Sequence, residues 1–467
     1  MLDPRLSRRG FLGAAATIGA GLALPRWARA SNLWRAASVL PPGTLPDPSL
    51  PIGTDTLPQI KHIIILMMEN HSYDNYLGAL GRGDGLTFDQ DGRAFNSNPD
   101  GNGNLLHAFH MPLACQQNGH PGQDWDASHL SFGTTPFTTN DGFVLASGPV
   151  AMGYWTDQDI PFYHGLARTF PLCDRYFCSV LAQTYPNRRF LLAASAGGII
   201  STTGAALTAP EPPNGSIFDR LNANGITWKD YYTDLPGVAV LLDTASANRD
   251  KLVSIEEFFT DAAAGTLPDV SYVDPNFETQ SEENPQDIQV GENFAARVIQ
   301  AAMAGPGWPG TVLIWTYDEH GGYYDHVRPP AAIKPDDVPP GIEGAPHRLP
   351  GGYDRYGFRV PTVIVSPYAR PDFISHVVND HTSILKLIET KWNLPAITFR
   401  DANANNLLEC LDLEGPPHFL EPPLLPEPGL VSMPSNCMPG EAGEIPPPDA
   451  LIPEGGRRRP RLPRFRT

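Results

Sequence analysis

The chain has few cysteines, and their spacing excludes one common class of metal site. Five occur in 467 residues: Cys115, Cys173, Cys178, Cys410 and Cys437. No two of them have the Cys-x-x-Cys spacing of a zinc site, so such a site is excluded. Five is an odd number, so at least one thiol is free or pairs between chains. In an exported protein, Cys410 with Cys437 could close the late, loop-rich region.

Basic residues are also scarce relative to acidic ones. Lys and Arg number 33 against 51 Asp and Glu, which gives a net charge of −18. So acidic a surface argues against a nucleic acid partner and against strong electrostatic adhesion to anionic lipid. The arginine-rich end at 457–466 could touch an anionic surface, but such runs are more typical of solvated, disordered ends. We therefore expect at most peripheral membrane contact, and the sequence does not indicate an oligomeric state.

No long apolar run follows the N-terminal region. The run at 13–24 is too short to cross ~30 Å of hydrocarbon at ~1.5 Å per residue, so a membrane anchor is the disfavoured alternative. It follows Ser7-Arg8-Arg9 and precedes Ala28-Arg29-Ala30, which offers a small-x-small cleavage site. This pattern predicts a twin-arginine signal peptide at 1–30 and export to the periplasm, cell envelope or medium.

Proline and glycine, by contrast, are abundant, with 50 and 44 residues, and they predict many loops. Residues 31–58 are proline-rich without periodicity and are predicted to be an extended lead-in. Residues 59–410 hold the periodic segments of one large domain. Residues 411–467 form a Pro-rich and Arg-rich C-terminal tail. Residues 80–160, rich in Gly, Asn and Asp, are predicted to be an excursion that helps to roof a site.

Three continuous apolar runs predict buried strands. They are His62–Met68, Val312–Trp315 and Val360–Val365. Continuous hydrophobicity indicates strands covered on both faces, as in a parallel sheet. Segments with helical features lie between and after them, at 188–196, 291–303 and 382–392. The alternation predicts an α/β sandwich.

Two of these runs are followed by metal-type ligands. Glu69-Asn70 follows the first, and Asp318-Glu319-His320-Gly321-Gly322 follows the second. Ligands in open α/β sheets bind beyond the carboxyl ends of the strands, and carboxylate and amide oxygens suit divalent cations. Three converging acids without a cation would raise each other's pKa. A helix cap or a solvated turn is the alternative interpretation of each cluster taken alone.

Thr184 stands two residues before Pro186, which opens a predicted helix. The unpaired amide groups and the positive end of the helix dipole would stabilise an alkoxide or a bound phosphate there. Coordination to a divalent metal would lower the hydroxyl pKa further. A plain helix cap is the alternative, and on this residue alone it is the favoured one.

Three strings in the chain resemble a known family. They are Met67-Met68-Glu69-Asn70-His71-Ser72-Tyr73-Asp74, Thr184-Tyr185-Pro186-Asn187-Arg188 and Asp318-Glu319-His320-Gly321-Gly322-Tyr323-Tyr324-Asp325-His326-Val327. They resemble the bacterial phosphoesterase family of phospholipases C and acid phosphatases, which has plant non-specific phospholipases C as relatives. Segments 359–367 and 381–384 resemble its later blocks. The resemblance implies a three-layer α/β/α sandwich of alkaline-phosphatase-like type with long loop excursions, and a phosphoesterase catalytic domain at 59–410.

The same resemblance implies a metal centre. Glu69, Asn70, Asp318 and Glu319 would hold one divalent ion, for which Ca, Mg, Mn, Fe and Zn are all admissible. Thr184 would coordinate this ion and attack phosphorus, forming a phospho-threonine intermediate that water hydrolyses.

Histidines are the candidates for proton transfer, because the histidine pKa lies near neutrality. His129 resembles a family histidine that contacts the phosphate or protonates the leaving oxygen, although it could equally be a loop histidine without a role. His320 is a second candidate. Before Pro285, where relatives commonly carry histidine, this chain has Asn284, which can donate a hydrogen bond but cannot act as a general acid.

These features predict phospholipase C-like cleavage of glycerophospholipids. A phosphomonoesterase of the acid phosphatase kind is the first alternative, using the same nucleophile and metal. A non-catalytic extracellular binding protein is the second. Such a protein need not keep all five predicted ligands, whereas this chain has them all.

Overall fold

A mixed β-sheet at the centre of the molecule positions the predicted site. The structure is a computed structural model that describes residues 39–115, 121–135, 140–430 and 450–453. The strands of this described part are β1 (His62–Met68), β2 (Ser97–Pro99), β3 (Asn104–His107), β4 (Phe109–His110), β5 (Gly153–Tyr154), β6 (Leu172–Cys173), β7 (Trp228–Tyr232), β8 (Leu252–Ser254), β9 (Val270–Asp274), β10 (Thr311–Tyr317), β11 (Thr362–Val365), β12 (Ile374–Ser375) and β13 (Leu451–Pro453).

Helices connect and cover these strands. The α-helices are α1 (Tyr73–Leu77), α2 (Trp125–Phe132), α3 (Phe143–Ser147), α4 (Pro161–Thr169), α5 (Thr184–Ala193), α6 (Gly204–Thr208), α7 (Ile217–Ala223), α8 (Leu242–Ala247), α9 (Ile255–Ala264), α10 (Ile288–Ala304), α11 (His381–Trp392) and α12 (Phe399–Ala402). Single 3₁₀ turns lie at Pro149–Met152, Gly237–Val240, Arg249–Lys251, Trp308–Gly310 and Leu408–Cys410.

The main sheet has parallel strands at its centre. Across the described residues its order is β12-β6-β11-β10-β1-β9-β7-β8, and β1 pairs in parallel with both β10 and β9. The third predicted strand differs in direction, because β11 runs antiparallel to β10. Its apolar run predicts burial on both faces, and all four residues of β11 are buried. Burial alone does not determine whether a strand runs parallel or antiparallel to its neighbour.

Side-chain contacts show that both faces of the sheet are covered. In the β1/β10 register Leu66 is opposite Trp315, so these two side chains share a face. On that face the Tyr163 ring of α4 stacks on Trp315, with 4.4 Å between ring centroids. Leu191 of α5 lines a small cavity against Ile65 on the other face. The fold is therefore the predicted three-layer α/β/α sandwich.

The helix that carries Thr184 begins earlier than predicted. The sequence predicts a helix over 188–196, whereas α5 spans Thr184–Ala193, with Pro186 in its first turn. Proline is tolerated there because the first N–H groups of a helix have no partner within it. The helix ends at Ala193, and the next residue, Ala194, adopts a left-handed conformation. The other two predicted helices lie within α10 and α11.

Segments on either side of the predicted domain pack against it. In the lead-in, Gly53 N donates to Trp392 O at 3.0 Å and Thr56 N to Lys391 O at 2.7 Å. In the tail, Phe419 O accepts a 2.9 Å hydrogen bond from the Trp308 indole. The boundaries at 58/59 and 410/411 stay predictions. The signal peptide at 1–30 and the arginine-rich end at 457–466 lie outside the described residues.

The predicted pairing of Cys410 with Cys437 is wrong. Cys410 is a buried free thiol, as are Cys173 and Cys178, while Cys115 is disulfide-bonded. The Leu408–Cys410 turn directs the Cys410 thiol into the core, where its Sγ lies 3.7 Å from that of Cys173. Cys437 lies outside the described residues.

Among the helices of residues 39–115, 121–135, 140–430 and 450–453, none combines the length and the apolar character that crossing a membrane requires.

Candidate active site

The two predicted ligand pairs lie together where β1 and β10 end. The strands are in register up to Met68 and Tyr317, and Asp318 N donates to Met68 O at 3.1 Å. Beyond this point the Asp318 carboxylate accepts hydrogen bonds from Asn70 N at 3.2 Å and from Glu319 N at 2.7 Å. Parallel pairing therefore brings the two clusters to one edge of the sheet.

The turns after these strands touch each other. Asn70 has φ +71° and Gly321 has φ +64°, both in the left-handed region. A Cβ atom on Gly321 would lie 1.8 Å from Asn70 O. Only glycine fits this contact, because any side chain would collide with the Asn70 carbonyl.

The acidic side chains at this edge are buried and repel one another. Burial, followed by the charge of Asp318, raises the pKa of both Glu69 and Glu319 well above the usual glutamate range. Burial also raises the pKa of Asp318, to about 6, against the opposing effect of the Arg188 guanidinium. A neighbouring positive charge would reverse these shifts.

Several polar atoms here have no hydrogen-bond partner within the described part of the chain. They are Glu69 Oε2, Glu319 Oε1, and Oδ1 and Nδ2 of Asn70, all of them buried. Buried oxygens without partners are rare in folded proteins, and carboxylate and amide oxygens are the donor set of a hard divalent cation. These residues therefore fit a cation. Among the described residues, no group of three or more His, Cys, Asp or Glu side chains is placed so that it could hold a metal ion.

α5 carries Thr184 and Arg188 to the same edge. Thr184 is the first residue of the helix and Arg188 lies four positions later, so both side chains share one helical face. Together with Glu69 they line a cavity of about 760 Å³. Residues 121–124, also in its lining, show that part of the predicted 80–160 excursion covers the site.

Arg188 links α5 to two strand ends. Its Nε donates to Asp318 Oδ2 at 3.1 Å and its Nη1 to Asp274 Oδ1 at 2.9 Å, with all three side chains buried. Burial opposes the charged guanidinium, but Asp318 and Asp274 outweigh it and raise the Arg188 pKa. The Arg188 charge is thus neutralised by these two carboxylates.

His129 is not among the residues that line the cavity. It lies on α2, where its Nδ1 donates to Trp125 O at 2.7 Å. Its Nε2 faces Gly351, at which an added Cβ would approach to 2.1 Å. Burial lowers the His129 pKa.

His320 is buried behind the predicted metal ligands. Its Nδ1 lies 3.0 Å from Glu319 Oε2, and its ring contacts Phe143 and Phe358. Burial lowers the His320 pKa to about 3, so the ring is neutral at pH 7.

Asn284 is also buried. Its Nδ2 donates to the Tyr323 hydroxyl at 3.1 Å, while its Oδ1 has no partner among the described residues.

Sequence reasoning missed three residues at this edge. Asp274 ends β9, a strand without a long apolar run to mark it. Glu283 lines the cavity and accepts a hydrogen bond from Gln123 at 3.2 Å. His381 donates from Nε2 to Asp318 O at 2.7 Å. Arg188 and His381 lie in segments that resemble blocks of the family. The sequence does not show, however, that the Asp274 carboxylate and the Asp318 carbonyl are their partners.

A family model for the Phosphoesterase family matches residues 60–395. The chain belongs to the phosphoesterase family. This membership makes it a phosphoric ester hydrolase, which disfavours the non-catalytic binding protein considered above.

Several relatives of this phosphoesterase carry named activities. Phospholipase C A of Mycobacterium tuberculosis is 30% identical over 93% of this chain and 91% of its own length. Non-specific phospholipase C1 of Arabidopsis thaliana is 30% identical over 79% of this chain and 74% of its own. The non-hemolytic phospholipase C of Pseudomonas aeruginosa is 27% identical over 88% of this chain and 64% of its own.

Solved structures are more distant. A protein of the alkaline phosphatase superfamily from Vibrio parahaemolyticus aligns with 78% of this chain and 75% of its own, at a TM-score of 0.39 and 10% identity. A similarity this low carries no inference about function.

Proposed function

We propose that this phosphoesterase cleaves glycerophospholipids in the manner of a phospholipase C, with Thr184 as nucleophile. The observation that carries the proposal is the position of Thr184, at the start of α5 and in one cavity with Glu69 and Arg188. The phospholipase C relatives at 30% identity favour a phosphodiester substrate over a phosphomonoester.

We further propose that Glu69, Asn70, Thr184, Asp318 and Glu319 hold one divalent cation. The buried atoms of Glu69, Asn70 and Glu319 without partners in the described chain support this assignment. When bound, such a cation lowers the pKa of an attacking hydroxyl and neutralises charge that develops on the phosphoryl oxygens.

Thr184 then carries the covalent chemistry. Its Oγ bonds to phosphorus while the bond from phosphorus to the diacylglycerol oxygen breaks, and the hydroxyl proton leaves with that alcohol. Water next attacks the phospho-threonine, which releases the phosphorylated head group and restores the hydroxyl. The positive end of the α5 dipole, where Thr184 lies, stabilises the negative charge at each stage.

Arg188 acts by positioning in this scheme, because it binds Asp318 and so fixes this ligand relative to α5. We assign His320 no separate step, because its ring is buried beside Glu319 and does not line the cavity. We assign no second side chain to carry the Thr184 hydroxyl proton to the leaving oxygen, because His129 lies outside the cavity lining and Asn284 has no acidic proton.

Export by the twin-arginine route is part of the proposal and rests on Ser7-Arg8-Arg9. If both arginines are replaced with lysine, the protein should no longer be exported, and its phosphoesterase activity should be found in the cytoplasmic fraction. Unchanged export of that variant would contradict this route.

The decisive experiment compares phosphatidylcholine with p-nitrophenyl phosphate as substrates of the purified protein, with and without a chelator. We expect the diester to be preferred, chelation to abolish turnover, and a re-added divalent ion to restore it. Preference for p-nitrophenyl phosphate would instead favour the acid phosphatase alternative. Activity that survives prolonged chelation, without bound metal, would overturn the mechanism.

Thr184→Ala tests the nucleophile. Removing it should lower kcat at least about 10³-fold, the scale seen when covalent nucleophiles are deleted. Thr208→Ala, at an exposed helical threonine, is the matched control and should keep wild-type turnover. Mass spectrometry of wild-type enzyme, acid-quenched during turnover of phosphatidylcholine, should find a phosphocholine group on Thr184; that group on another residue would contradict the assignment.

A further inference from the structure

The cavity around Thr184 has two chemically different sets of lining residues, and the proposed chemistry uses only one. Its volume, about 760 Å³, is in the range of pockets that enclose whole small molecules. The first set is polar and contains the three lining residues used by the chemistry, Glu69, Thr184 and Arg188, together with Gln123, Asp124, Gln183, Thr202 and Glu283. The second set, which we call the apolar wall, consists of Leu207, Leu235, Pro236, Ala239, Val240, Leu242 and Phe277.

Two leucines of the apolar wall are largely exposed. Leu235 is 59% exposed and Leu242 is 40% exposed, although both belong to the cavity lining. Removing apolar surface from water is favourable, so a ligand that covered both side chains would gain binding free energy.

The backbone of the apolar wall is fixed by buried acids. Gly237 N donates to Asp274 Oδ2 at 2.7 Å, and Val238 N donates to Asp230 Oδ2 at 3.0 Å. Asp274 also binds Arg188. The Arg188 guanidinium lies over the ring of Phe277, a residue of the wall, 4.8 Å from the ring centroid. The wall is therefore held in place relative to α5, and a ligand binding there pays little ordering cost.

The charges of the lining restrict what else the substrate can contain. Arg188 is the sole basic side chain among the described lining residues, and Asp274 and Asp318 neutralise it. A second phosphate or a carboxylate on the substrate would find no free cation there, while Asp124 and Glu283 would repel it. The lining disfavours nucleotides and sugar bisphosphates.

We infer that the apolar wall binds the acyl-bearing alcohol part of the phosphoester, and that Leu235 and Leu242 determine specificity for acyl chain length. This inference rests on the proposed function and assigns the substrate's apolar part to residues outside the reacting centre. The chains lie within the cavity and leave it past these two leucines.

The test uses short-chain phosphatidylcholines dissolved as monomers, so that no lipid surface is present. We expect wild-type kcat/KM to rise about tenfold from dibutanoyl- to dihexanoylphosphatidylcholine, which corresponds to burying roughly two of the four added methylene groups. In the double variant Leu235→Ser, Leu242→Ser this ratio should fall to near one, with little change in kcat/KM on p-nitrophenylphosphorylcholine.

A third variant controls for the loss of any exposed leucine. Leu424 is 100% exposed and does not line the cavity, so Leu424→Ser should keep the wild-type ratio. Urea unfolding of each variant checks that the fold is retained.

Three outcomes would overturn the inference in distinguishable ways. A wild type that hydrolyses none of the three substrates contradicts the proposed function, and the wall assignment fails with it. A wild type that hydrolyses p-nitrophenylphosphorylcholine but shows no preference between the two phosphatidylcholines contradicts only the assignment of the apolar wall. A double variant that keeps the monomer ratio but loses activity on phosphatidylcholine vesicles shows that the leucines contact a lipid surface instead.

Discussion

At the scale of single residues, the side chain that ties the site together is Arg188. It binds the carboxylates of Asp274, at the end of β9, and Asp318, directly after β10, and it lies one helical turn from Thr184. Buried ion pairs of this kind contribute modestly when intact, but losing one partner leaves an uncompensated charge in the interior.

Arg188→Met should therefore lower the free energy of unfolding by about 3–5 kcal/mol, because both carboxylates lose their partner. Urea unfolding measures this loss. Arg168→Met removes a half-exposed pair with Asp157 and should cost less than about 1 kcal/mol. Equal losses in the two variants would contradict the structural role of Arg188.

His326 makes the stability depend on pH. Burial lowers its pKa, but the Asp74 carboxylate, 2.7 Å from Nδ1, outweighs burial and raises the pKa from 6.5 to about 9. Asp84, Asp325 and Arg359 are its other charged neighbours. Because the folded pKa lies above the unfolded one, its stabilising contribution is complete below pH 6.5 and is lost as the pH rises through 9.

We expect this loss to approach about 3 kcal/mol between pH 6.5 and 9.5, since one pKa unit corresponds to about 1.4 kcal/mol. Urea unfolding across this range should show a smaller decline for His326→Gln than for the wild type. A His326→Gln variant that declines as steeply as the wild type would contradict the assignment.

At the scale of elements, the site depends on the contact between the turns that follow β1 and β10. Gly321→Ala should destabilise the protein and reduce activity together, because its Cβ would overlap Asn70 O and separate the two ligand pairs. We expect a loss of about 3 kcal/mol or more, from overpacking in addition to the strain of positive φ.

Gly81→Ala is the matched control for that prediction. Gly81 has φ +74°, and an added Cβ there would have nothing within 4 Å. It should cost only about 1 kcal/mol and leave kcat unchanged. If both alanine variants behaved alike, the backbone conformation rather than the turn contact would explain the effect.

Elements with strong patterns could be predicted from the sequence. β1 matches its apolar run at His62–Met68, and α10 and α11 contain their predicted segments. The start of α5 was misplaced because proline was assumed to open the helix, although it can occupy any position of the first turn. The direction of β11 is set by pairing with distant strands, which a local pattern does not encode.

At the scale of the whole molecule, the oxidation state of the cysteines provides a global test. Alkylation of the native protein without reductant should leave Cys173, Cys178 and Cys410 unmodified because they are buried. After unfolding, still without reductant, these three should react while Cys115 stays protected by its disulfide. Peptide mapping would contradict the structure if Cys410 required reduction.

The two halves of the candidate site differed in how far the sequence could identify them. Glu69, Asn70, Asp318 and Glu319 follow apolar strands, so their position at one edge could be expected from the parallel register. Asp274 and Glu283 carry no such local signal, and their proximity depends on sheet order and on the loop after β9. The placement of His129 against Gly351 depends on long-range packing that its spacing does not reveal.

The hydrogen bond between Asn70 and Asp318 also sets a minimum time between the synthesis of β1 and the assembly of the site. These residues are 248 positions apart, so at roughly 5–20 residues per second the ribosome needs roughly 12–50 s to supply the second after the first. Until then β1 has neither its β10 neighbour nor the acids that follow it. A chain exported in unfolded form would have to assemble the site after it crosses the membrane. A chain that leaves the ribosome and folds before export could complete the site in the cytoplasm.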